Sequence, residues 1–147
     1  MVQPDRRAAY PCTQFCCEEN IWQLVKVLVD EGVEISELQV IYISNPKKAV
    51  VIYEQNNALD RDHMVWDYHV ILWHRDETGD QVYDFDSRLP FPCDAGDYFQ
   101  RSFKGQYELS EEYEAHMRVI PAAEYLHDFY STRRHMKGVI PEEIFPP

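Results

Sequence analysis

Trp66-Asp67-Tyr68-His69-Val70-Ile71-Leu72-Trp73, the polar run Asp76-Glu77-Thr78-Gly79-Asp80 and then Gln81-Val82-Tyr83-Asp84-Phe85 decide how this chain folds. Two stretches rich in β-branched and aromatic residues flank a glycine-bearing turn, which predicts antiparallel strands over Val65 to Trp73 and Gln81 to Phe85 joined as a hairpin. Period-two alternation puts Asp67, His69, Ile71 and Trp73 on one face of the first strand, and Val82, Asp84 and Asp86 on one face of the second. With the turn centred on Asp76 and Glu77, His69 lies directly opposite Asp84. A two-residue change of register brings Asp86 opposite His69 instead, so spacing puts Asp84 only narrowly ahead.

Upstream, Gln39 to Ser44 and Ala49 to Tyr53 flank Asn45-Pro46-Lys47, which predicts an earlier hairpin. Before that, Ile21, Leu24, Val25 and Leu28 recur at helical spacing, Trp22 and Val29 widen the stripe, and Gly32 is the expected stop. Glu18 and Glu19 suit the first turn, where the helix dipole favours anions. The helix therefore begins at or just after Cys17. Downstream, the two prolines of Leu89-Pro90-Phe91-Pro92-Cys93 exclude a central strand and leave an ordered loop. Gly96 to Phe103 reads as a short helix and His116 to Ile120 as a strand. Pro121 suits the first position of a helix running to about Tyr130. The tail Gly138 to Pro147 has no periodicity. One helix, hairpin-connected strands and a late helix predict a single α+β domain over residues 1–147, with an antiparallel sheet packed on the N-terminal helix.

A net charge of −12 repels phosphate backbones and anionic membrane surfaces and attracts cationic ligands, a free α-ammonium group among them. No apolar run reaches the roughly 20 residues of a membrane span, and none follows the arginines of Met1-Val2-Gln3-Pro4-Asp5-Arg6-Arg7. The expectation is an intracellular protein with reduced thiols and with neither nucleic-acid nor membrane partners.

A cysteine at a helix N-terminus sits among unpaired N–H groups that stabilise a thiolate, and the same groups can hold the oxyanion of a tetrahedral intermediate. Cys17 occupies that place, although most free cysteines are simply small buried hydrophobes. A carboxylate facing His69 fixes the imidazole tautomer and stabilises the imidazolium; alone, His69 reads as a core histidine and Asp84 as a solvated strand acid. Chain order Cys, His, Asp is that of papain-like and transglutaminase-like thiol enzymes, in which a helix presents the cysteine and a sheet the other two. A zinc site from Cys12, Cys16, Cys17 and His135 is disfavoured, because the paired Cys-x-x-Cys spacing is missing and adjacent cysteines fit one tetrahedral ion poorly. His74-Arg75-Asp76 matches a kinase catalytic loop by chance, since no glycine-rich loop precedes it. Trp66, Tyr68, Trp73, Tyr83 and Phe85 are expected to form core and pocket walls.

Taken together, these stretches resemble the protein N-terminal glutamine amidohydrolase family. The likeness rests on Cys17-Glu18-Glu19-Asn20-Ile21-Trp22, Ile43-Ser44-Asn45, Trp66-Asp67-Tyr68-His69-Val70, Tyr83-Asp84-Phe85-Asp86 and Leu89-Pro90-Phe91-Pro92-Cys93. Arg118-Val119-Ile120, Tyr125-Leu126, Phe129 and Arg133 with His135-Met136 follow in the same order. The resemblance implies catalysis by Cys17, which precedes Glu-Glu-Asn, with His69 and with Asp84, the first aspartate of Tyr-Asp-x-Asp. It further implies deamidation of an N-terminal glutamine in proteins or peptides to glutamate, with release of ammonia and without metal or organic cofactor. The resemblance also implies that the product feeds the N-degron degradation pathway. Glu18, Asp67, Trp66 and Tyr68 are the expected substrate-binding residues, and the expected setting is a monomer in the cytoplasm and nucleus. Alternatives are a thiol peptidase, a transglutaminase-like acyl transferase, or a non-catalytic module that binds N-terminal glutamine. Members of the family continue past the His-Met motif with a proline-rich stretch and a Gly-Trp-Gly segment, whereas this chain ends at Ile144-Phe145-Pro146-Pro147. A short or truncated form is therefore expected.

Overall fold

Leu38-Gln39-Val40-Ile41-Tyr42-Ile43-Ser44 is an almost unbroken apolar run, the pattern of a strand buried on both faces. In the computed structural model, which describes residues 17–105 and 109–135, this run is strand β1 (Leu38–Ser44), paired on one side with β4 (His69–Asp76) and on the other with β7 (His116–Pro121). β4 continues to β5 (Gly79–Tyr83) and β5 to the short β6 (Cys93–Asp94), giving an antiparallel sheet of order β6-β5-β4-β1-β7. Two further strands, β2 (Val50–Tyr53) and β3 (His63–Trp66), form a separate antiparallel pair. Among the described residues there are also three α-helices: α1 (Cys17–Asp30), α2 (Ala95–Ser102) and α3 (Ala122–His135). The domain is thus α+β, with an antiparallel sheet as expected.

Alternation along β1 and β4 divides the core in two. Leu38, Val40, Tyr42, Val70 and Leu72 pack with Ile21, Leu24, Val25 and Leu28 of α1 and with Ala122 and Tyr125 of α3. Ile41, Ile43, Ile71 and Val82 pack with Val50 and Ile52 of β2 and with Ala95, Tyr98 and Phe103 in and after α2. Both faces are therefore covered: α1, expected to pack on the sheet, does so together with α3, and β2 and α2 lie on the other side. Leu24 is fully buried; Leu24→Ala should cost about 2–5 kcal/mol, read as a lowered denaturation midpoint with an unchanged slope.

Several boundaries differ from the sequence expectation. Asn45 does make the predicted turn: its amide binds both the N–H (2.9 Å) and the carbonyl (3.0 Å) of Ala49. Yet β1 and β2 do not form a hairpin, because β4 and β7 occupy both edges of β1 and β2 crosses the sheet face to pair with β3. The expected strand from Val65 to Trp73 is two strands, broken at Asp67-Tyr68, one in each sheet. Helix α1 starts at Cys17, and the chain leaves it through Gly32 at φ 107°, a conformation suited to glycine. Pro121 ends β7 rather than opening α3, and α3 runs on to His135. Cys12, Cys16, Met136 and the tail Gly138 to Pro147 lie outside the described residues, as do the side chains of Cys17, Phe129, Arg133 and His135.

Candidate active site

The β4–β5 turn is tighter than the spacing expectation. Asp76 pairs with Gly79 and Leu72 with Tyr83, so Glu77 and Thr78 form a two-residue loop. Extended by that register, position 84 falls opposite Ile71, and the position opposite His69, two pairs further along, is 86. The directly opposed His69–Asp84 pair is therefore corrected: β5 ends at Tyr83, and Asp84 begins the turn in which Ser87 N–H donates to its carbonyl at 3.1 Å. From that turn Asp84 reaches back diagonally, and His69 Nε2 lies 2.8 Å from Asp84 Oδ1.

The pair is removed from water, with His69 at 3% exposure and Asp84 at 2%. A buried carboxylate needs compensating donors. Asp84 Oδ1 also accepts the Asp86 backbone N–H at 3.0 Å, while Oδ2 accepts the Tyr98 hydroxyl at 2.6 Å and the Gln55 side-chain amide at 3.0 Å. Burial alone would raise its pKa, but His69, Tyr98 and Gln55 outweigh it and hold Asp84 at about 2. Burial likewise works against a charged His69, yet the Asp84 charge and hydrogen bond prevail and raise its pKa above the usual 6.5. Because ionised Asp84 can only accept, Nε2 carries the shared proton and Nδ1 is the ring atom left for chemistry. Nδ1 is buried and has no hydrogen-bond partner among the described residues.

The expected substrate-binding residues surround this histidine unevenly. The Trp66 ring stacks on the imidazole, with centroids 5.1 Å apart and planes 18° from parallel. Tyr68 stacks on Tyr42 and donates to Glu18 Oε1 at 2.8 Å. Glu18 is buried in the first turn of α1, close enough for its charge to favour protonated His69, and its carbonyl accepts the Tyr125 hydroxyl at 2.6 Å. Asp67 stands exposed in the break between β3 and β4. Asp86, the rival partner for His69, instead binds the backbone and side-chain amides of Asn57 at 3.2 and 2.5 Å. Cys17 opens α1, and its thiol lies outside the described side chains. Sequence reasoning missed Gln55 and Tyr98. A glutamine in a polar connection carries no periodic signal, and Tyr98 reads as an ordinary apolar position of a short helix.

At the other end of β4, His74 Nε2 lies 3.0 Å from Glu37 Oε1 and 3.7 Å from Asp76 Oδ2. His74 is five positions from His69 and so on the opposite strand face, apart from the site.

The sequence profile described as N-terminal glutamine amidase matches residues 12–145. Among curated proteins, the chain is 37% identical over 137 residues to the protein N-terminal glutamine amidohydrolase of Danio rerio, covering 92% of this chain and 68% of that protein. It is 39% identical over 132 residues to the protein of that name from Arabidopsis thaliana, covering 85% and 60%, and 37% identical over 123 residues to that of Homo sapiens, covering 82% and 60%. The chain thus spans about 60 to 68% of the length of these relatives. On the strength of a match that runs through Glu18, His69 and Asp84 and takes in every described element, the chain belongs to the N-terminal glutamine amidase family.

Proposed function

We propose that this chain hydrolyses the side-chain carboxamide of an N-terminal glutamine in proteins or peptides, with Cys17 as nucleophile, His69 as acid and base, and Asp84 as orienting carboxylate. The observation that carries this reading is the buried His69–Asp84 pair, whose second imidazole nitrogen has no partner among the described residues. The first turn of α1 is near enough for Glu18 to act on that imidazole.

In this mechanism the Cys17 thiolate attacks the carboxamide carbon, and N–H groups at the start of α1 hold the oxyanion. His69 Nδ1–H protonates the departing nitrogen, which leaves as ammonia and produces a γ-glutamyl thioester. A water molecule then gives a proton to Nδ1 and attacks the thioester carbon, releasing N-terminal glutamate and restoring the thiolate–imidazolium pair. A helix that presents the cysteine, a strand that carries the histidine and a turn just past the next strand that carries the aspartate support reading this as a papain-like or transglutaminase-like arrangement. The acidic field draws in the substrate ammonium, with Glu18 and Asp67 as its carboxylate partners and Trp66 and Tyr68 as pocket walls. The glutamate product is the form that an N-degron pathway takes up.

A short peptide beginning with glutamine, followed by mass spectrometry and ammonia assay, tests this. Conversion to the glutamate peptide, absent with an N-acetylated control, is the expected result. Loss of ammonia without gain of water would be spontaneous cyclisation by the α-amine, and cleavage or amine transfer would point to a peptidase or acyl transferase. No reaction at all would contradict the proposal.

A further inference from the structure

The buried carboxylate is held by more than its histidine. Gln55 and Tyr98 are both fully buried, and both donate to Asp84 Oδ2, the oxygen that His69 does not use. The Gln55 amide has only one consistent orientation. The Trp66 indole N–H, which can only donate, lies 3.1 Å from Oε1, so the NH2 group must face Asp84. One chain of contacts therefore runs from Trp66, stacked on the imidazole, through Gln55 to the carboxylate and back to the imidazole.

The backbone supports this arrangement. Gln55 forms an isolated antiparallel bridge with Ser87. Asn56 N–H donates to the Asp86 carbonyl at 2.6 Å and Arg88 N–H to the Glu54 carbonyl at 2.7 Å. The loop that carries Gln55 is thus tied directly to the turn that carries Asp84. Glu54 adopts φ 60°, a conformation unusual for glutamate, immediately before Gln55.

Resting on the reading of Asp84 as the orienting carboxylate, we propose that Gln55 and Tyr98 are positioning residues of the reaction: they hold Oδ2 so that Oδ1 meets His69 Nε2, and Gln55 locks the Trp66 ring over the same imidazole. Each leaves Asp84 with an unfilled acceptor site when removed, a loss felt in a buried site far more than in water. Burial first, and the Asp84 charge after it, push the Tyr98 phenol well above its ordinary range, so it remains a donor wherever the protein is folded.

The test uses the full chain and two readouts: ammonia release from the glutamine peptide across pH, and NMR titration of the His69 ring, which needs no activity. Gln55→Glu keeps the shape but turns a donor into an acceptor. Its kcat should fall about ten- to hundredfold near neutrality with KM close to wild type, and should recover as pH falls and the introduced acid regains a proton to donate. Tyr98→Phe should also lower kcat, without recovery at low pH. In both variants the His69 titration should move upward, because a carboxylate relieved of a donor, or joined by a second charge, holds the imidazolium proton more tightly. A His69 titration identical to wild type in a folded Tyr98→Phe, or in a folded Gln55→Glu, overturns the proposal whatever happens to kcat. Should Gln55→Glu fail to fold, Tyr98→Phe decides alone. A wild-type protein that releases no ammonia would sink the proposed activity but not this test, since the titration still separates the two results.

Discussion

Cys17→Ala should abolish ammonia release, lowering kcat by about a million-fold and leaving only background hydrolysis. The size of the loss follows from the chemistry. Amides are poor electrophiles, and without a thiolate the carboxamide must wait for water to attack directly, while His69 and the helix-start N–H groups have no intermediate to serve. Stability should change little, since the substitution falls at the first residue of α1 and alanine is the strongest helix former. Circular dichroism and a thermal melt alongside the assay check that the variant is folded. A variant that keeps a substantial share of wild-type turnover would remove Cys17 from the mechanism and return attention to direct attack by water.

Asp84→Asn is the second large effect, and its pH dependence carries more information than its size. Triads of this kind lose on the order of ten-thousand-fold in kcat when the carboxylate becomes an amide, because the histidine tautomer and the stability of its charged form both go. For His69 the sign is fixed by its surroundings. Burial opposes its charge, and the Asp84 charge and hydrogen bond are what raise it. Without Asp84, burial dominates and the pKa drops below 6.5. The reaction needs imidazolium to protonate departing ammonia, so the alkaline limb of kcat/KM should lie above 6.5 in the wild type and move down in the variant.

Stability follows the same linkage. Asp84 titrates at about 2 when folded against 3.8 ordinarily, so its contribution is present above 3.8 and lost as pH falls toward 2. His69, raised when folded, contributes below 6.5 and loses that contribution as pH rises through its folded value. Denaturation midpoints measured across pH in wild type and Asp84→Asn would reveal both slopes, and parallel curves would contradict the coupling.

The helical stripe of Ile21, Leu24, Val25 and Leu28 was legible because one side of α1 is buried and a period of 3.6 survives in any tertiary context. The β4–β5 hairpin was legible for a similar reason: its turn residues and strands are adjacent in the chain. What local pattern cannot register is a partner far away in sequence. β1 is bordered by β7, whose Ile120 pairs with Val40 across eighty positions, and that pairing displaced β2 into a sheet of its own. Nor does alternation record a break: Trp66 through His69 keeps its pattern although the backbone changes sheets at Asp67-Tyr68. His69 and Asp84 were found by their chemistry and by the family resemblance, while the spacing argument placed them in the wrong register. Alternation did give the shared face: position 84, just past the end of β5, falls opposite Ile71, on the same side as His69, and the contact is made diagonally across two residues. Gln55 was unreadable because its role is set wholly by Trp66 and Asp84, which approach it only in the folded chain.

Trapping the acyl-enzyme tests the central claim most directly. Acid quenching during turnover of a glutamine-initiated peptide, then intact-mass and fragment analysis, should reveal an adduct equal to the peptide less ammonia, joined to the Cys17 sulfur and absent when the peptide is N-acetylated. An adduct on another cysteine, or accumulation of glutamate product with no adduct at any quench time, would contradict the account.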